Sequence, residues 1–351
     1  MRANRILAPA ALTAAIALMA GCAAGAPDTE PTAGGDATAD SAGSFTLYSG
    51  RDEDLVQPLI DQFEEETGIE VEVRYGNTAE LGALLLEEGE ATPADVFLSQ
   101  DAGALGALSA AELFATLPDE IAGSVPAGFT STDDSWVGVT GRARVVVYDG
   151  EQYTEDELPD TIEGYVDGSF DGTLAIAPTN ASFQSAITAH RVLLGEEAAE
   201  QWLIELQATD PEIFEGNTPI LTAVNDGAVD AGLINHYYWF RLASEVGADN
   251  MRAQLKYLEA GDPGSIVNVT GAGILAGSAD NEAALAFVEY LVSEAGQNYF
   301  VEQTFEYPLV PGIDAPEGLP PLESLVNPEL DLSDLDDLST TQELLARVGL
   351  I

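Results

Sequence analysis

Tyr237 and Tyr238 stand side by side near the end of the stretch VDAGLINHYYWFR, residues 229–241, with Asn235 and His236 before them. The stretch opens as an apolar run consistent with a buried strand, and the tyrosines fall where a helix can begin. Phenols, an amide and an imidazole at a strand's end offer oxygen and nitrogen donors to a cleft. Adjacent tyrosines also serve as ordinary packing residues, so spacing alone leaves both roles open.

Other chemistry is sparse. The sequence contains no G-x-S-x-G elbow, no H-E-x-x-H and no P-loop. With only His190 and His236 available, a histidine-based triad has few ways to assemble, and the chain is expected not to be an enzyme. The 351 residues are 46% apolar, which is a globular composition long enough for two lobes with separate cores. The formal charge of -50 makes nucleic acid and anionic membrane poor partners. Because the acids are spread along the whole chain, they read as a solvated surface rather than a cation trap.

Arg2 and Arg5 precede an apolar run from Ile6 to Met19, and the run closes on Leu18-Met19-Ala20-Gly21-Cys22. This resembles a bacterial lipobox. Residues 1–21 are then a lipoprotein signal peptide, and Cys22 is the lipidated new N-terminus. That placement puts the protein on the extracytoplasmic face of the cell membrane, which it touches only through the lipid. As the only cysteine, Cys22 leaves no internal disulfide. Residues 22–44 are small, polar and aperiodic, as in a flexible tether.

Elements able to position the tyrosines follow from Phe45 onward. FTLYS reads as a strand; Leu55, Leu59, Ile60 and Phe63 recur at helical spacing up to Thr67-Gly68; IEVEVRY alternates as a half-buried strand. A helix over Leu81–Glu88 and the strand ADVFLS complete a β-α-β-α-β order, which implies a mainly parallel sheet with helices on its faces. Ligands of such sheets bind beyond the carboxyl ends of the strands, here Ser49–Asp52, Asn77-Thr78 and Ser99–Asp101. WVGVT and ARVVVYD follow as separate strand-like runs. The segment TLAIAPTNASF then opens a second α/β unit, with Asn180-Ala181-Ser182 at a helix start. Free N–H groups there favour an anion, and a plain N-cap explains the same residues equally well.

Taken together, LYSGRDEDLVQPLIDQFEEETGIEVEVRYG, PADVFLSQDAGALGAL, GRARVVVYD, APTNASFQ, GNTPILTAVNDGAVDAGLINHYYW and EYPLVPG resemble the ferric-iron-binding substrate-binding proteins of bacterial ABC importers. The resemblance implies an α/β, two-lobed type II periplasmic-binding-protein fold with two crossing strands. It places lobe 1 at 45–142 and 266–310, lobe 2 at 143–265, and a C-terminal helical cover at 311–351. It also implies a monomer that binds Fe(III) through the phenolates of Tyr237 and Tyr238 and delivers it to an ABC-type permease.

The chemistry is consistent with that implication, because hard Fe(III) favours anionic oxygen. Relatives complete the metal shell with a histidine and a glutamate, whose positions here are Asp52 and Gln100. A further tyrosine found in other relatives is replaced by Ser182-Phe183, with Tyr48 and Tyr148 as conceivable substitutes. The deficit points to a synergistic carbonate or phosphate. Family positions for that anion match Asn180, Ala181, Ser182, Asn217 and Asn235, with Arg51 as an added clamp and Arg142 and Arg144 left to structure. The competing cargo is a polyamine or another small cation, which Trp239 and the acidic surface would suit.

Overall fold

The alternation that begins at Phe45 sets the first strand, β1 (Ser44–Ser49), which buries Phe45, Leu47 and Tyr48. The computed structural model describes the chain at residues 43–327 and 329–351. The expected signal peptide, the Cys22 lipidation site and nearly all of the tether lie outside the described residues. No helix among the described residues is long and apolar enough to cross a membrane.

Helix α1 (Glu53–Thr67) buries Leu55, Val56, Leu59, Ile60 and Phe63, and ends where Gly68 takes a φ of 72° that costs a glycine little. Pro58 sits inside it, in the second turn. Next come β2 (Glu70–Tyr75), α2 (Thr78–Glu88), β3 (Val96–Ser99), α3 (Ala102–Ala110) and the short α4 (Asp119–Ala122). Strand β4 (Val137–Asp149) follows, then β5 (Leu174–Ile176), α5 (Ala181–Leu194), α6 (Glu196–Ala208), β6 (Glu212–Ile213) and α7 (Asn217–Asn225). Strand β7 (Ala231–Asn235) runs directly into α8 (His236–Val246), as the tyrosine stretch predicts. The remainder is β8 (Ala253–Lys256), β9 (Val267–Ile274), α9 (Glu282–Leu291), α10 (Glu294–Tyr299), β10 (Tyr307–Pro308) and α11 (Leu338–Val348).

WVGVT and ARVVVYD are not two strands. They are one 13-residue strand, β4, buried throughout, because Gly141 and Arg142 continue the ladder. Likewise Ile266–Thr270 and Ile274–Ala276 merge into β9. The first half of β4 pairs antiparallel with β9, and its second half with β7 and β8. Parallel pairing is confined to β1 with β2 and β3, and to β5 with β6 and β7. Each sheet is therefore parallel away from the crossing strands and antiparallel where they enter.

The C-terminal segment is mostly short turns rather than helix until α11, which packs on α5 and α6. Its turn Leu332–Leu335 packs on the small residues of α3 and also on α5. A Cβ on Gly103 would lie 3.0 Å from the Leu335 carbonyl, and one on Gly106 2.9 Å from the Asp336 Cβ. The strap therefore needs glycine at these positions to approach α3.

Candidate functional site

Tyr237 and Tyr238 occupy the first turn of α8, where the free backbone N–H groups favour negative charge. Their rings stack at 4.2 Å between centroids and 27° between planes, with 1% and 8% of their surfaces exposed. Burial, reinforced by Tyr238 as a neighbour, raises the Tyr237 phenol well above its ordinary range, while Arg51 and Arg142 oppose the rise. His236, between β7 and the pair, points away. Its Nδ1 accepts from the Ala143 N–H at 3.1 Å, and its Nε2 donates to the Phe305 carbonyl at 3.0 Å. Burial pushes its imidazole down to about 4, so it stays neutral.

Tyr238 opens on a cavity of about 600 Å³. One wall carries Gly50, Arg51, Asp52, Tyr75, Asn77 and Gln100; the other carries Asn180, Glu215, Asn217 and Thr218. Asp52 and Gln100 thus face the same space as Tyr238, as the sequence predicts. Among the described residues no group of three or more His, Cys, Asp or Glu side chains is placed to hold a metal. Tyr75 is a phenol of this cavity that sequence reading misses; its hydroxyl donates to Gln57 Oε1 at 2.6 Å. Tyr48 and Tyr148 are buried in the cores and do not line this cavity.

Asn180, Ser182 and Asn217 form one cluster. The Asn180 Oδ1 accepts from the Ser182 N–H at 3.0 Å, realising the plain N-cap of α5. Ser182 Oγ donates to Asn180 Oδ1 at 2.6 Å, and Asn217 Nδ2 donates to Ser182 Oγ at 3.3 Å. Ala181 is buried beside them. Arg144 completes the cluster from below, its Nη1 donating to Ser182 Oγ at 3.1 Å and to Asn217 Oδ1 at 3.3 Å. Asn235, the N-cap of α8, is its register partner across the ladder. Three helix starts therefore gather around one buried guanidinium. Burial pushes that guanidinium down to about 9 and the like charge of Arg142 adds to the fall, although Tyr238 and Tyr237 pull the other way. Its Nε has no partner.

Two buried arginines differ in how their charge is met. Arg51 lines the cavity, and its guanidinium is also tied inward: Nη2 donates to Glu306, and Nη1 donates to Thr270 Oγ1 at 3.0 Å. Burial works against its charge, but Glu306, with Tyr237, Tyr238 and Asp52, holds it firmly protonated. Its charge is thus met by a carboxylate, while its Nε has no partner. Arg144 has no such carboxylate among its hydrogen-bond partners. Arg142 stays with the framework, donating to the Val269 carbonyl at 3.3 Å.

Residues 45–306 match the bacterial extracellular solute-binding protein family. The chain is 34% identical, over 87% of its length and 93% of the relative's, to the major ferric iron-binding protein of Neisseria meningitidis. Among solved structures, iron-bound HitA from Pseudomonas aeruginosa aligns with a TM-score of 0.82 at 34% identity, covering 87% of this chain and 99% of that one. A Trichodesmium protein in complex with iron and citrate aligns at 0.73 and 30% identity, with 87% and 99% covered. With a type II periplasmic-binding-protein fold and relatives named for ferric iron, the chain belongs to the bacterial extracellular solute-binding protein family.

Proposed function

We propose that this protein captures Fe(III) between the phenolates of Tyr237 and Tyr238 and a synergistic anion, and delivers it to an ABC-type permease. The observation that carries the reading is the buried, stacked phenol pair at a helix start, of which Tyr238 lines a cavity shared with Asp52 and Gln100. Those two side chains are the proposed further oxygen donors. Carbonate or phosphate would sit at Asn180, Ala181, Ser182, Asn217 and Asn235, drawing on the unmatched charge of Arg144. The ranges 45–142 with 266–310, and 143–265, act as lobes that close on the cargo, while Cys22 anchors the mature protein on the outer face of the membrane as a monomer.

Two phenolates neutralise only two of the three positive charges on Fe(III), which leaves room for a further anion, and both phenols must lose their protons to bind as phenolates. The cation must expel them, so binding releases protons and weakens as pH falls. The test is titration with Fe(III), Fe(II), Mn(II), Zn(II) and putrescine, each with and without bicarbonate, on the parent and on Tyr237→Phe/Tyr238→Phe. The parent should take up Fe(III) with a purple-red phenolate-to-iron absorption, and the double variant should do neither. Unchanged iron affinity in the double variant, or uptake of putrescine alone, would reject the reading.

A further inference from the structure

Arg51 leaves the loop after β1 and runs beneath Tyr237, which belongs to α8 on the other sheet. Its guanidinium carbon lies 5.5 Å from the centroid of the Tyr237 ring. The side chains of Arg51 and of its partner Glu306 are 1% and 0% exposed. Glu306 also accepts from Thr140, while Arg51 donates to Thr270, and these threonines are register partners on the two crossing strands. A buried ion pair adds little net stability over apolar packing, because desolvation offsets attraction. Stability alone therefore does not account for the pair. Arg51 Nε, moreover, has no partner in the framework.

We propose that Arg51 is a positioning residue for Tyr237: clamped by Glu306 and Thr270, it fixes the ring relative to both crossing strands and stations a permanent cation behind the iron-bound phenolate. This rests on the phenolate reading above. A fixed cation stabilises the electron-rich phenolate and raises the energy of its charge-transfer absorption. Glu306 moderates that field, so removing each member of the pair has an opposite effect.

The test uses the iron-loaded protein and its visible spectrum. Arg51→Met should move the absorption to longer wavelength and weaken iron binding about tenfold. Glu306→Gln should move it to shorter wavelength, and Arg51→Lys should restore the parent position. If either single variant fails to fold, Arg51→Met/Glu306→Gln, which buries no unpaired charge, should show a smaller shift to longer wavelength. Absorptions that stay fixed, or that move in the same direction for Met and Gln, would show that the pair only supports the fold and would overturn the proposal. A parent without the absorption would reject the phenolate reading and this inference together; a coloured parent with unresponsive variants would reject this inference alone.

Discussion

A buried phenol gives up its proton only to something that replaces the proton's charge at short range. Tyr237, raised by burial and by its neighbour, meets that condition only with a strongly charged cation against its oxygen. The proposed anion site obeys the converse rule, since Arg144 is a buried cation whose hydrogen-bond partners are neutral. Arg144→Met should therefore abolish the bicarbonate dependence of iron uptake and cost at least tenfold in affinity with bicarbonate present, as a buried charge-assisted contact would. Calorimetry with and without bicarbonate measures both; a variant that still responds to bicarbonate would contradict the assignment. The tyrosines were legible because adjacency is visible in one dimension. Arg144 was not, since an arginine inside ARVVVYD reads as a strand residue until register sets it against Asn235.

Elements place these groups through close backbone approaches. The loop carrying Arg51 and Asp52 touches the start of α2 at Gly50, where an added Cβ would fall 1.9 Å from Thr78 Oγ1 and 2.9 Å from the Thr78 Cα. Gly50→Ala must push the loop off α2, so a loss of stability of about 1–3 kcal/mol is expected, with weaker iron binding. Urea unfolding and iron titration of the same variant test this, and parent-like values in both would refute it. On the opposite face, Gly106→Val should loosen the strap from α3 by about 1–3 kcal/mol, read by the same unfolding midpoint. The strands and helices around the tyrosines follow from their hydrophobic periods, as in α1 and β7. The continuity of β4 does not, because glycine and arginine in WVGVTGRARVVVYD look like a break when both neighbouring strands are unseen. Strand β8 was missed for a related reason: its AQLK carries little alternation, and its place comes from pairing with β4.

At the scale of the molecule, charge and acidity govern stability. A net charge of -50 repels itself, so the melting temperature should rise with added KCl as the Debye length shortens. A flat or falling trend would show that repulsion among the acids does not limit stability. His190 and His236 are each pushed down to about 4 by burial, whereas an unfolded histidine titrates near ~6.5. Between those values the unfolded chain holds protons that the folded one refuses. Stability is therefore full above the unfolded value and falls with pH toward the folded one, by up to about 2 kcal/mol per histidine at pH ~5. Urea midpoints across that window, with His190→Gln removing about half of the effect, measure it; equal midpoints in parent and variant would refute it. The exposed Arg241–Asp54 bridge at 2.8 Å joins α8 to α1, and as a solvated pair it adds at most about 1 kcal/mol.

The unbroken strand β4 has one more consequence. A ribbon whose two ends are stitched into different sheets behaves as a leaf spring rather than a door pin: it resists in proportion to how far it is bent, and it has a rest position of its own. If the two ranges close on cargo as proposed, the empty protein would return to a gape written into that ribbon, and each uptake would work against the same restoring force.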